Sequence, residues 1–300
     1  VGDIEAVPYL EAARQLVREL GKKNAISVHL TLIPVITGGE LKSKPTQNSV
    51  KQLQQVGIQP DILICRCEGE VEESMKKKIA RFCNVKSDSV FVSPDVKKSI
   101  YELPVLFHEQ GLTKNILEKL DIVNKSTDVS QWTSFLEKLN TPSKKVCIGM
   151  VGKKDYLDNC YKSVQESLFH AAVTGNNAEI IIKKIDAETL EESDNAASFF
   201  EGVEGIVIPG NYGQSGFMGL LKTVKYAREN KIPYLGIDLG MQLMAIETAR
   251  SLCGWQDADT TEFIQNSTHP VISLPEEQSS PSDGVMKLGA SQITIEQNTK

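Results

Sequence analysis

Three hundred residues with 40% hydrophobic content are enough for one large or two ordinary domains, each with a buried core. A formal net charge of −6 offers no basic field to displace counterions from phosphates, which excludes a general nucleic-acid binder. No apolar run is long enough to span a membrane and no signal peptide opens the chain, so the expected location is the cytoplasm.

The six cysteines (Cys65, Cys67, Cys83, Cys147, Cys160 and Cys253) form no CxxC pair and lie mostly in apolar or helical contexts. They read as reduced thiols. The four histidines show no metal-ligand spacing, and no metal site is expected. Val1 is not a start methionine and the opening residues read as the interior of a domain, so the chain is expected to be a piece of a longer protein.

In chain order, helical spacing of Leu10, Ala13, Leu16, Val17 and Leu20 predicts a helix over 9–20. A buried strand follows over 27–35, then a helix over 48–56 ended by Gly57. A strand over 61–65, a charged amphipathic helix over 70–83 and a strand over 89–93 come next. Short helices run to Leu120, and another spans about 130–139. The polar, proline-bearing segment 140–145 predicts a boundary between domains 1–140 and 141–300. Beyond it, strands are expected at 146–151, 179–185, 205–208 and 234–237, separated by helices at about 159–172, 217–230 and 241–252, with a polar loop at 279–283. Strands alternating with helices predict an α/β fold, two domains each built on a parallel sheet.

Chemistry concentrates in a few segments. Lys42 and Lys44 lie two apart before Pro45, which favours an extended preceding residue. On an extended segment both ammonium groups project to one side, with Gln47 beside them, as in a phosphate clamp. Spacing alone fits a solvated loop better. Asp3 and Glu5 are also two apart and suit contacts to a nucleotide, although alone they read as surface carboxylates. Lys77, Lys78 and Arg81 make a basic helix face, from which one side chain can reach a phosphate.

The run from Ile208 to Gly216 is a glycine-rich strand-to-helix turn offering N–H groups to an oxyanion. The segment from Pro233 to Gln242 reads as strand, sharp turn and helix start, with Gly236 and Gly240 permitting close approach and Asp238 at the apex. A carboxylate there is a poor nucleophile toward an amide and forms no thioester. Glu262 is a candidate partner for an amino group.

Together these segments resemble CTP synthase, which aminates UTP with ATP and with ammonia from glutamine. The resemblance rests on Val1 to Glu5, Lys42-Ser-Lys-Pro-Thr-Gln47, Gly57 to Arg66, Phe82 to Val85, Ile148 to Lys153, Tyr161 to Val164 and Tyr234 to Gln242. The run Gly254 to Phe263 with His269 to Val271 is nearer to eukaryotic than to bacterial members.

The resemblance implies a partial P-loop synthetase domain followed by a partial class I glutamine amidotransferase domain of flavodoxin-like fold. It implies UTP or CTP binding by Asp3, Glu5, Lys42, Lys44, Gln47 and Lys78, and ATP contacts at Asp95 and Val96. It places Gly210 in an oxyanion hole and glutamine against Leu239, Gln242 and Glu262. It implies magnesium with ATP, although the family's metal ligands mostly fall outside this sequence, and assembly as tetramers and filaments or jointly with active CTP synthase subunits.

The departures are specific. Asp238 stands where class I amidotransferases carry cysteine. Asn211 replaces a glycine, Ser215 an arginine and Lys154 a tyrosine. The family's P-loop would precede Val1, and its histidine and glutamate of the triad would follow Lys300. The expectation is therefore a CTP synthase homologue without glutaminase activity, not rescued by Asp238→Cys, or a non-catalytic relative that binds UTP or CTP or co-assembles with active subunits.

Overall fold

The computed structural model describes residues 2–96, 98–123, 127–210, 213–264 and 266–273. The chain divides into two compact units, Val1–Asn140 and Thr141–Lys300. The polar loop expected at 279–283 lies outside the described residues.

In the first unit, helix α1 (Val7–Leu20) precedes β1 (Val28–Ile33), α2 (Lys44–Gln55), β2 (Ile62–Cys67), α3 (Glu73–Cys83) and β3 (Val90–Pro94). The three strands pair in parallel in the order β1-β2-β3, with Leu30 opposite Ile64 and Ile64 opposite Phe91. Parallel neighbours need helical crossovers, which α2 and α3 supply. Val50 of α2 and Ile79, Ala80 and Cys83 of α3 pack on one face of the sheet against Leu63, Cys65 and Cys67. Helices α4 (Leu103–Glu109) and α5 (Leu112–Lys119) cover part of the other face through Phe107, Leu112 and Ile116. Helix α6 (Ser130–Asn140) closes the unit, its Trp132 stacked on Tyr101 at 5.8 Å.

Helix α2 begins four residues earlier than its apolar pattern predicted, and this corrects the extended reading of the two lysines. Ser43 is already in the right-handed helical region, Lys44 opens the helix and Pro45 is its second residue. Proline is tolerated there because the first-turn N–H groups have no intrahelical acceptor. The buried Thr46 hydroxyl donates to the Leu32 carbonyl at 3.0 Å and ties this start to β1.

The second unit runs β4 (Lys144–Gly152), α7 (Lys154–Asn159), α8 (Lys162–His170), β5 (Ala178–Asp186), α9 (Ala187–Glu192), β6 (Gly205–Ile208), α10 (Phe217–Glu229), β7 (Tyr234–Gly236), α11 (Leu239–Leu252), β8 (Asp259–Thr260) and β9 (Pro270–Ile272). Its main sheet is parallel throughout, in the order β5-β4-β6-β7. The chain leaves β4 to one side for β5 and returns to the other for β6. Crevices at the carboxyl ends of strands form at such reversals, which is where this fold places ligands.

The helix expected over 159–172 is α8, which starts at Lys162 and passes into a π-type turn over Ala171–Gly175; the short α7 before it, set off at Cys160–Tyr161, was not expected. Leu157 of α7 and Tyr161 share one core cluster with Val164 and Leu168 of α8. Helix α9 was not expected. Asp186 caps it, its carboxylate accepting from the Thr189 N–H at 3.3 Å.

Candidate functional site

The sharp turn after β7 has the backbone of a nucleophile elbow. Asp238 adopts φ 54° and ψ −113°, a region that side chains with a Cβ rarely occupy. The turn is over-determined from both sides. The Ile237 N–H donates to the Ile208 carbonyl at 2.9 Å, and the Asp238 carbonyl accepts from the N–H groups of Met241 and Gln242 at 3.0 and 3.1 Å.

Glycine is obligatory at two points. A Cβ on Gly236 would collide with the Gly240 carbonyl group, and one on Gly240 with the Ile208 carbonyl oxygen. The half-buried Tyr234 donates its hydroxyl to the Gly240 carbonyl at 2.7 Å, and burial pushes its ionisation far up.

Strand β6 delivers the second wall. A Cβ on Gly210 would stand 3.2 Å from Asp238 Oδ2, so the glycine backbone borders the carboxylate directly. Tyr161, from the break between α7 and α8, donates its hydroxyl to the Gly210 carbonyl at 2.8 Å. Burial raises that phenol to about 12, which keeps it a donor. Tyr161 and Tyr234 are positioning groups to which the sequence reading gave no role of their own.

Asp238 is solvent-exposed and makes no side-chain hydrogen bond to the helix it precedes. Glu262 faces the same site. Burial, and then the charge of Asp238, push its carboxyl above the usual range. The Gln242 side-chain oxygen is buried without a hydrogen-bond partner. Leu239 is 3% exposed with its side chain packed in the core, so its backbone is the part placed to meet a ligand. Asn211 lies outside the described residues. Ser215 hydrogen-bonds Glu188 of α9, so the serine that replaces the family's arginine closes a local contact.

In the first unit, Asp95 and Val96 line a cleft of about 550 Å³ with Leu30, Ile64, Ile100 and Phe107. Arg66 forks onto Asp95 at 2.7 and 3.3 Å, and this pairing holds the Asp95 carboxyl below its ordinary value.

The expected phosphate clamp is less open. Lys42 pairs with Glu40 at 2.6 Å, and Gln47 is 5% exposed with its amide donating to the Ser43 hydroxyl at 3.0 Å. Lys78 is exposed on α3. Asp3 lines a smaller cleft of about 340 Å³ with Gln52 and Gln55, and Glu5 is exposed and outside that lining. Gln52 stands eight residues along α2 from Lys44, about 12 Å at helical rise, so Asp3 and Lys44 flank opposite ends of one helix. Among the described residues no three His, Cys, Asp or Glu side chains stand together where they could hold a metal ion. No helix among them is long and apolar enough to cross a membrane.

A parallel-sheet unit with an elbow and a glycine turn at its strand ends, preceded by a second parallel-sheet unit, defines the class: a synthetase-type domain joined to a class I amidotransferase-type domain. Residues 1–122 match the family described as CTP synthase N-terminus, and residues 156–294 match glutamine amidotransferase class-I. The CTP synthase of Flavobacterium psychrophilum is 47% identical over 303 residues, covering 100% of this chain and 56% of that protein. That of Syntrophus aciditrophicus is 45% identical over 292 residues, covering 97% and 53%. Among solved structures, the Trypanosoma brucei CTPS glutaminase domain with bound acivicin is 34% identical, with a TM-score of 0.41 over 46% of this chain and 53% of that one. The chain is a CTP synthase homologue and spans about half the length of the curated relatives it matches.

Proposed function

We propose that this chain is part of a CTP synthase, acting in pyrimidine nucleotide biosynthesis, whose amidotransferase unit recognises glutamine without hydrolysing it. The observation that carries the reading is Asp238 on the elbow. Hydrolysis of the side-chain amide in class I sites proceeds through a thioester, and an oxygen acid at the apex has no sulfur to form one. The surroundings of the missing sulfur remain in place: the strained turn, the Gly210 wall and the half-buried Glu262. Amination of UTP then depends on ammonia from solution. Glu262 offers a carboxylate to the ligand's ammonium group, Gln242 offers its unpartnered amide oxygen, and Gly210 borders the ligand's distal end.

The first unit is read as the nucleotide side. The apolar walls of the cleft at Asp95 and Val96 suit a planar ring, and the Arg66–Asp95 fork gives its rim a fixed hydrogen-bonding edge. Lys44, Lys42, Lys78 and Gln47 are assigned to UTP or CTP phosphates. Lys42 must leave Glu40, an exposed pair that costs little to break. Asp3 and Glu5 are assigned to the pyrimidine-nucleotide pocket. Magnesium accompanies ATP in the family.

Electrophilic capture tests the reading. A glutamine-analogue electrophile leaves the native chain unlabelled at position 238 and labels the D238C variant there. Labelling of native Asp238 overturns the proposal.

A second reading, a non-catalytic subunit that co-assembles with active CTP synthase, is favoured by α1. That helix has no buried residue, and Tyr9, Leu16 and neighbouring Ile4 are 78%, 54% and 83% exposed. Calorimetry that shows no UTP or CTP binding by the folded chain favours this second, purely structural role.

A further inference from the structure

Glu262 lies between β8 and β9, and one carboxylate fastens the two ends of that segment. Asp257 Oδ1 meets His269 Nδ1 at 2.7 Å, while Oδ2 accepts from the Thr268 backbone N–H at 3.2 Å and from the Thr268 hydroxyl. Ser267 doubles the knot. Its hydroxyl donates to the Asp257 carbonyl at 2.8 Å and accepts from the His269 N–H at 3.1 Å. Trp255 stacks on the His269 ring, 4.8 Å between centroids and 16° between planes.

Between the fastened ends the segment is anchored to the elements that build the elbow site. Phe263 packs edge-on against Phe217, the first residue of α10, at 5.2 Å. Arg250 of α11 donates to the Ala258 carbonyl at 2.7 Å and pairs with the buried Asp259 carboxylate at 2.6 Å. The Glu262 N–H donates to the Thr260 hydroxyl at 3.3 Å. Among the described residues no hydrogen bond or ion pair engages the Glu262 carboxyl itself, so its placement is inherited from the segment that carries it.

We propose that Asp257 is a positioning residue: with Thr268, His269 and Trp255 it closes residues 257–269 into a clasp that holds Glu262 toward Asp238 and sets the site's affinity for an amino acid's ammonium group. The inference deepens the glutamine-recognition reading and rests on it for the ligand. An unfastened segment samples many conformers, and apparent affinity falls by the fraction that remains competent.

The experiment follows the Glu262 carboxyl by carbon NMR in the full chain, assigned by its loss in E262Q. In the native chain it titrates above the usual carboxylate range, because burial and the charge of Asp238 disfavour its anion. D257A brings the midpoint back toward the ordinary value of about 4.3. T268V shifts it the same way, and T268S, which keeps the hydroxyl, leaves it in place. In a W132F background Trp255 is the sole tryptophan, and its emission reports the opening of the stack.

Glutamine calorimetry gives the second readout. D257A weakens binding on the order of tenfold, and D257A/E262Q binds no more weakly than E262Q alone, since the first residue acts through the second. An unmoved Glu262 midpoint in folded D257A and T268V, or additive losses in the double variant, overturns the clasp. Should D257A fail to fold, the T268V and T268S pair carries the same comparison. A native chain that binds no glutamine overturns the recognition reading, and the Glu262 titration still decides the clasp.

Discussion

Replacing Asp238 by glycine and by alanine turns the elbow's strain into a measurable difference. At φ 54° and ψ −113° any residue with a Cβ stores about 1–3 kcal/mol of backbone strain. Glycine removes it and gives back about 0.5–1 kcal/mol through the greater freedom of the unfolded chain. Alanine keeps the strain. Both variants lose the same carboxylate beside the start of α11, so the dipole contribution cancels between them. D238G is therefore expected to be more stable than D238A by about 0.5–2 kcal/mol, the reverse of the order at an ordinary helical position. At about 2–4 °C per kcal/mol for a unit of this size, its Tm lies roughly 1–8 °C higher. Urea denaturation followed by circular dichroism, with differential scanning calorimetry to separate the two units, reads the difference. Equal stabilities, or D238A the more stable, would show that the turn is relaxed in solution and would remove the argument that a nucleophile elbow is preserved.

The remaining predictions concern what holds the elbow and its surroundings. Arg228 of α10 forks onto Glu247 of α11 at 2.9 Å on both arms, with Ser251 donating to the same carboxylate at 2.6 Å. The Glu247 side chain is 5% exposed and that of Arg228 32%. E247A should cost about 3 kcal/mol in urea titrations, the low end for a broken buried pair because Arg228 keeps part of its hydration; a loss under about 1 kcal/mol contradicts the packing described. G240A should destabilise the second unit by at least about 3 kcal/mol, since the added Cβ meets the Ile208 carbonyl and the turn has no slack; near-native melting of that unit would refute it.

Acid should act through Asp257, whose hydrogen bonds from Thr268 and His269 hold its carboxyl at about 2. Its contribution is complete above the unfolded value of about 3.9 and is lost as pH falls toward about 2. Between those limits D257N should show a flatter dependence of the urea midpoint on pH than the native chain, and parallel curves would count against the clasp.

Much of the fold was legible because its strands are short apolar runs with sharp punctuation. Strand β6 ends where Pro209 and Gly210 break the run, and its predicted bounds match the structure. Tolerance was harder to read than preference. Pro45 favours an extended predecessor, yet the first helical turn accepts proline, so Lys44 became helical and the clamp geometry changed. The six residues of α7 are too few to show an apolar period, so that helix was not read from the sequence.

At the site, Asp238, Gly236, Gly240 and Gly210 were legible because turn geometry restricts residue type. The half-buried state of Glu262 depends on contacts between β8, β9 and the helices that no local pattern encodes. Gln47 carried a ligand-like amide in the sequence, and packing turned it onto Ser43.

The most direct measurement is the release of ammonia from L-glutamine by the purified chain, compared with D238A and with buffer. An apex that presents only a carboxylate yields no ammonia above buffer from either protein. Ammonia production by the native chain that disappears in D238A would show that this carboxylate hydrolyses the amide and would contradict the account.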